Sequence, residues 1–470
     1  MQAAPHSHSH ASSSALPAPE RELSDAEKER LHFQSVLQAF DAYLPHSLET
    51  NNARRRSYYA LPRAHRTLLS QLGPTIPGPM AAAASDEEGH STGIAEQTAP
   101  SEMAPGGIGF KARLAEIDDR IRRNADVLSL IVDDSRGFFG EAGGVESEAE
   151  RDSSGSGSDG ANASASEKGK RAHDGQEQSA GRQGAAQHQH GTDPRRRRRV
   201  ADQDLDKIRS TIKQLVRDWS DEGNAEREAA YGPVLDALDA RFGTIAAADR
   251  PAVRVLVPGA GLGRLAFEVA WQGYSCQGNE YSFFMLLASH WILNKSARRH
   301  EHTIYPYVHS SSNWRSAQDL LQGVRIPDVN PSDLPPHVDF SMVAGEFVDV
   351  YSKAQEGAAW DAVATVYFVD TARNVVRYLE VLNHVLPVGG IWINAGPLLW
   401  HYENNGDLSI ELTLEEMLGL VEQMGFELLK HRALPPQPYT GNAACMLSYQ
   451  YTPAFWVARK VRDVTPAPSI

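Results

Sequence analysis

Residues 253–280 read VRVLVPGAGLGRLAFEVAWQGYSCQGNE, and this stretch sets the reading of everything around it. Val253, Val255, Leu256 and Val257 pass from alternation to a continuous apolar run, as suits a strand buried on both faces. Pro258 ends the run. Gly259, Gly261 and Gly263 follow, and then Leu265, Ala266, Phe267, Val269 and Ala270 fall on one side of a helix. Glycine lets the chain turn tightly and lets a ligand approach, while the helix start offers free N–H groups. Glu280 ends the next strand, where a carboxylate can accept from two ribose hydroxyls. The stretch therefore predicts an α/β domain that binds a nucleoside cofactor.

Nicotinamide-dependent enzymes and adenosylmethionine-dependent methyltransferases share this pattern. The spacing GAGLGR departs from the G-x-G-x-x-G that seats a pyrophosphate, and the βα alternation continues downstream, so the expected fold is a seven-stranded, class I (Rossmann-like) methyltransferase sheet. The alternative is a glycine-bearing turn in another α/β domain.

The chain of 470 residues carries a formal net charge of −14, which argues against a surface devoted to nucleic acid. Two cysteines, Cys276 and Cys445, allow no disulfide framework and suit a reducing compartment. The first residues lack a basic start followed by an apolar core, and no 18-residue apolar run occurs. A soluble, cytoplasmic protein is expected, with no metal site.

In order along the chain, residues 1–22 are predicted to be a disordered tail and 23–139 an N-terminal helical region interrupted by a low-complexity loop at 73–107. Ser24 is the expected N-cap of the first helix, with Leu31, Val36, Leu37 and Phe40 as its apolar stripe. A loop at ETNN (49–52) and a second, basic helix follow. Residues 111–132 read as a helix with Leu114, Ile117, Ile121, Leu128 and Ile131 on one side. Residues 140–200 hold almost no apolar side chain and read as a disordered linker ending in five arginines, a nuclear import signal, a nucleic-acid tether or simply a basic linker. Helices over 201–250 lead into the catalytic domain, 251–462; Leu205, Ile208, Ile212, Leu215, Val216 and Trp219 mark the first, with Gln214 and Arg217 on one face.

Past Glu280, SFFMLLASHWIL reads as an apolar helix with His290 as a core histidine, and IYPYVH as a strand. FSMVAGEF is a third strand whose end offers Glu346 to an adenine amine and Phe347 as a ring to stack on. WDAVATVYFVD is the fourth, with Asp370 at its carboxyl end, either a site residue or the N-cap of the next helix. GGIWINAGPLLWHYE supplies a buried fifth strand, with His401 and Tyr402 beyond its exit. A terminal hairpin brings Tyr449 and Tyr451 to its entry as aromatic walls.

LVPGAGLGRLAFEVAWQGYSCQGNEYSFFML, IKQLVRDWSDEG, FVDTARNV and GGIWINAGPLLWHYE together resemble the carnosine N-methyltransferase family. The resemblance implies S-adenosyl-L-methionine as cofactor and methylation of the histidine imidazole in carnosine, giving anserine, or in related peptides. It further implies that Gln214, Arg217, Gly259, Glu280, Glu346 and Phe347 hold the cofactor together with Gly261, Gly263 and Val366, and that Asp370, His401 and Tyr451 hold the substrate and carry catalysis. The family usually has aspartate in place of Glu346 and commonly cysteine in place of Val366. Other readings are a protein-histidine methyltransferase and a non-catalytic cofactor-binding scaffold; a homodimer is open.

Overall fold

A computed structural model describes residues 23–72, 108–142, 202–404, 408–442 and 444–465, without the side chains of 134–142. The expected tail at 1–22, the loop at 73–107 and nearly all of the linker at 140–200, with its arginine tract, lie outside the described residues.

The N-terminal region contributes α1 (Asp25–Ala60), α2 (Arg63–Ser70) and α3 (Phe110–Ala142). Ser24 caps α1 in a reciprocal capping box with Glu27. The expected loop at 49–52 is instead helix, and α1 runs unbroken to Ala60. Tertiary bonds override the weak local propensity there: buried Asn51 donates to the Leu114 carbonyl at 2.8 Å and to Asp118 at 2.6 Å, and Arg55 joins the same two acceptors. Leu61, extended because Pro62 follows, ends the helix. Leu31 is exposed, and the buried stripe runs through Phe33, Val36, Phe40 and Tyr43.

α4 (Asp202–Trp219) and α5 (Asn224–Phe242) precede the sheet domain. Its elements are β1 (Arg254–Pro258), α6 (Arg264–Trp271), β2 (Ser275–Glu280), α7 (Phe283–Lys295), β3 (His302–Ile304), α8 (Ala317–Leu320), β4 (Val324–Ile326), β5 (Phe340–Ala344), α9 (Phe347–Tyr351), β6 (Ala362–Val366), α10 (Val375–Val385), β7 (Ile391–Gly396), α11 (Leu414–Gln423), β8 (Phe426–Ala433), β9 (Gln437–Pro438), β10 (Gln450–Tyr451) and β11 (Ala454–Lys460). Seven strands form one sheet in the order β5-β2-β1-β6-β7-β11-β8, parallel except for β11, which runs antiparallel between β7 and β8. In order of appearance these strands read 3-2-1-4-5-7-6.

Alternate residues feed two cores. Val255, Val257, Ala362, Ala364, Ile391, Ile393 and Phe455 pack toward α5 and α6, while Leu256, Val363, Trp392 and Trp456 pack toward α10 and α11. A third core joins α1, α3, α4 and α7, with Val36, Tyr43, Ile117, Ile208 and Trp219 inside it. The helical region is thus part of the wall around the sheet. Three local readings change. His290 is exposed on α7, where Asn294 bonds it. The strand expected at 304–309 is confined to β3, since Pro306 cannot donate to a ladder. β6 stops at Val366, because Tyr367 turns left-handed at φ 52°.

Candidate active site

The carboxyl ends of β1, β2, β5, β6 and β7 converge on one side of the sheet. Gly259, Gly261 and Gly263 all have positive φ, 65°, 55° and 79°. A Cβ on Gly259 would lie 2.5 Å from the Phe368 ring, whereas one on Gly261 would meet nothing within 4 Å. Open space therefore stands over the middle of the turn, where a ligand can reach the backbone. Glu280, at the end of β2, accepts the Gly261 N–H through Oε2 at 2.8 Å and the Tyr281 and Ser282 N–H groups through Oε1 at 2.9 and 2.8 Å. Its carboxylate therefore stands beside that opening and fixes the turn to the start of α7.

At the end of β5, Glu346 caps α9 by accepting from the Asp349 N–H at 3.0 Å, and burial pushes its carboxyl up. Phe347 is 3 % exposed, its ring held among Tyr351, Phe368 and Tyr378 with centroids 5.3–5.6 Å away. It braces the site by packing, where the sequence suggested an open face for stacking. Val366 is the half-buried last residue of β6.

α4 reaches the same end of the sheet. Trp219 donates its indole N–H to the Leu262 carbonyl within the glycine turn, 3.1 Å, and Arg264 reaches back to the Asp218 carbonyl, 2.8 Å. Two residues upstream, Arg217 lies 5.0 Å from the Tyr439 ring centroid, and Gln214 donates to the Tyr439 hydroxyl at 3.3 Å. The Gln214 Oε1 is buried with no hydrogen-bond partner among the described residues.

Tyr439 connects this corner to the far wall. It stacks on Tyr367 at 4.5 Å, and Tyr451 meets both rings edge-on at 6.2 and 6.4 Å. Tyr367 and Tyr439 are site-lining residues absent from the sequence reading. Their signals were slight: one follows directly on β6, the other sits in a Pro-rich loop, PPQPYTGN. The Tyr367 hydroxyl is buried without a partner among the described residues, and Gly396 makes room for its left-handed turn, since a Cβ there would lie 3.0 Å from the Tyr367 nitrogen. Tyr449 is 64 % exposed and outside this wall.

Asp370 lies in a 3-10 turn (Val369–Thr371) and is 2 % exposed. It caps no helix; Asn374 is the cap of α10. Its Oδ2 accepts the Leu399 N–H at 2.9 Å, while Oδ1 is buried with no partner among the described residues. Burial raises its carboxyl to about 7, against the pull of the Leu399 N–H. The His401 N–H donates to the Asp370 carbonyl at 3.0 Å, so the loop after β7 is tied to Asp370 twice, and the His401 side chain is exposed beside it. Among the described residues no cluster of three or more His, Cys, Asp or Glu is placed to hold a metal ion.

The strand order, the glycine turn and the carboxylate at the end of β2 define the class I, adenosylmethionine-type methyltransferase fold. The family model for "Carnosine N-methyltransferase" matches residues 194–462. The chain belongs to the carnosine N-methyltransferase family. It is 46 % identical over 258 residues to the carnosine N-methyltransferase of Mus musculus, covering 55 % of this chain and 64 % of that one. Against the Schizosaccharomyces pombe relative it is 42 % identical over 266 residues, 54 % of this chain and 71 % of that one. The chain thus spans under two thirds of the mouse relative's length. Among solved structures, the Burkholderia thailandensis 1,6-didemethyltoxoflavin-N1-methyltransferase covers 56 % of this chain and 90 % of its own, at 17 % identity and a TM-score of 0.31. Among the described residues, no helix is long and apolar enough to cross a membrane.

Proposed function

We propose that this chain uses S-adenosyl-L-methionine to methylate an imidazole nitrogen of histidine in carnosine, giving anserine, and in related small His-containing peptides. One observation carries the reading: at the end of β6, three positions after a tyrosine that packs with Tyr439 and Tyr451, stands a buried carboxylate with one oxygen held by the backbone and the other without a partner among the described residues. Family membership supports the substrate class.

The residues present suit the cofactor. The open side of Gly261 would receive its backbone-facing part, Glu280 the ribose hydroxyls, and Glu346 the adenine side, with Phe347 and Val366 as packing. Gln214, with a spare buried oxygen, and Arg217 would take the amino-acid end. When bound, the cofactor supplies an electrophilic methyl group.

The rest of the chemistry belongs to the chain. A neutral imidazole, with a reference pKa of about 6.5, needs no strong base at neutral pH. Asp370 Oδ1 accepts the N–H of one ring nitrogen, which fixes the tautomer and turns the lone pair of the other outward. As positive charge develops on the ring, the same carboxylate stabilises it in a site that excludes water. Tyr451, Tyr439 and Tyr367 hold the ring plane, and His401 stands where the dipeptide leaves the pocket. Glutamate in place of the family's usual aspartate at 346 keeps the carboxylate and adds one methylene, and Val366 keeps only packing. Two free cysteines, Cys276 buried, fit a reducing compartment, cytosol or nucleus. Incubating the purified protein with labelled cofactor and carnosine and locating the methyl group by mass spectrometry tests the reading; a protein that turns over neither carnosine nor any short His peptide would overturn it.

A further inference from the structure

Arg217 is held by the chain itself. It sits in the last turn of α4, next in sequence to Asp218, and adjacent residues on a helix do not ordinarily face one another. Here they do. The Arg217 Nε donates to Asp218 Oδ1 at 2.7 Å and Nη2 to Oδ2 at 3.1 Å, a forked pair. Asp218 is 1 % exposed and cannot swing away, because the Tyr231 hydroxyl of α5 donates to the same Oδ1 at 2.9 Å. The main chain around the pair is equally fixed: Arg227 donates to the Arg217 carbonyl at 2.6 Å and Arg264 to that of Asp218 at 2.8 Å. Nη1 makes no hydrogen bond among the described residues, and Arg217 lines a cavity of about 330 Å³ whose walls include Lys213, Glu226, Thr440 and Asn442.

We propose that Asp218, held by Tyr231, is a positioning residue that orients Arg217 so that its free edge meets the carboxylate of the bound cofactor's amino-acid end. This rests on the reading of Arg217 as a cofactor ligand. Burial works against the Arg217 charge, but the Asp218 carboxylate outweighs it and keeps the guanidinium fully cationic. A side chain fixed before its partner arrives loses less freedom on binding, so the effect belongs in affinity and not in the transfer step. The carboxylate serves one arginine and one tyrosine, and Asp218 does not line that cavity.

The test measures binding of S-adenosyl-L-homocysteine by calorimetry and KM and kcat for the methyl donor. Asp218→Asn keeps the shape and loses the charge; it should weaken binding about 10-fold with kcat within about twofold, and Tyr231→Phe, losing one bond of three, about threefold. The double variant Arg217→Lys with Asp218→Asn should bind no more weakly than Arg217→Lys alone, since the second change acts only through the first. If Arg217→Ala leaves affinity unchanged, the reading of Arg217 fails. If Arg217→Ala loses affinity while Asp218→Asn or Tyr231→Phe does not, or if the losses simply add, the positioning role fails. Should Asp218→Asn not fold, the Tyr231→Phe cycle with Arg217→Lys gives the same decision.

Discussion

Two aspartates with enclosed side chains differ in how their charge is met. Asp328 accepts from Arg227 at 2.6 Å and from Arg264 at 2.5 and 3.2 Å, and both arginines are also bonded to carbonyls of α4 or the residues just after it. Its two oxygens are fully engaged by cations. Asp370 is more deeply buried, yet among the described residues it has one backbone N–H, no cation and an oxygen without a partner. The first carboxylate clamps the loop after β4 to α4, α5 and α6. The second is left under-satisfied on the side where the strands end. What distinguishes the two is whether the chain itself supplies the counter-charge.

The largest effect should come from removing the clamp. Asp328→Ala leaves the buried Arg227 guanidinium without an ion-pair partner among the described residues and Arg264 with Glu268 alone, and unfolding by denaturant should show a loss of about 3–5 kcal/mol. An unchanged midpoint would mean that the two aspartates are alike after all.

Asp370→Asn should behave in the opposite way. The amide oxygen can still accept from Leu399, but the charge is gone, so methyl transfer should fall about 10²-fold, some 2.7 kcal/mol of barrier, with cofactor affinity held. Because its folded pKa is raised, the unfolded chain gives up this proton at lower pH than the folded one does. Stability is then lost as pH rises from about 4 through 7, and the asparagine variant should melt higher than the parent at pH 8 but not at pH 4. Activity of the parent should climb through about pH 7 as Asp370 ionises. A pH-independent difference in melting temperature would place the charge elsewhere.

Glu280→Ala takes away a carboxylate engaged by three backbone N–H groups beside the glycine turn. Cofactor affinity should drop by about 1–3 kcal/mol in calorimetry. The smallest effect belongs far from the sheet: Ser24→Ala should cost about 1 kcal/mol of stability and leave turnover untouched. If turnover fell with it, the N-terminal helices would have to be counted as part of the site.

How much of this the sequence disclosed depended on the distance over which each feature is determined. The glycine turn, Glu280, α4, α5 and the Ser24 cap are set by neighbours within a few positions, and each was readable. The continuity of α1 through 49–52 was not, because Asn51 and Arg55 find their partners on α3, more than 55 positions away. Tyr367 was passed over for the same reason: its left-handed turn depends on Gly396 across the sheet. Tyr439 lies in a loop with no period of its own, and it enters the site only because α4, β6 and β10 meet there. Asp370 was readable as a residue of interest, and that it is not the cap of the next helix is decided by Asn374, which takes that place.

The placement of β11 constrains the order of assembly. In the sheet β8 pairs only with β11, and β11 is the last described strand to be made, so β8 has no neighbour in the sheet until synthesis has passed Lys460. Until that moment β7 is a bare edge, with apolar residues on both faces and its outer row of backbone groups unpaired. A nascent chain paused between β8 and β11 would therefore expose its most aggregation-prone surface while β1, β2, β5 and β6 could already be paired, and this interval is where a chaperone would have the most to cover.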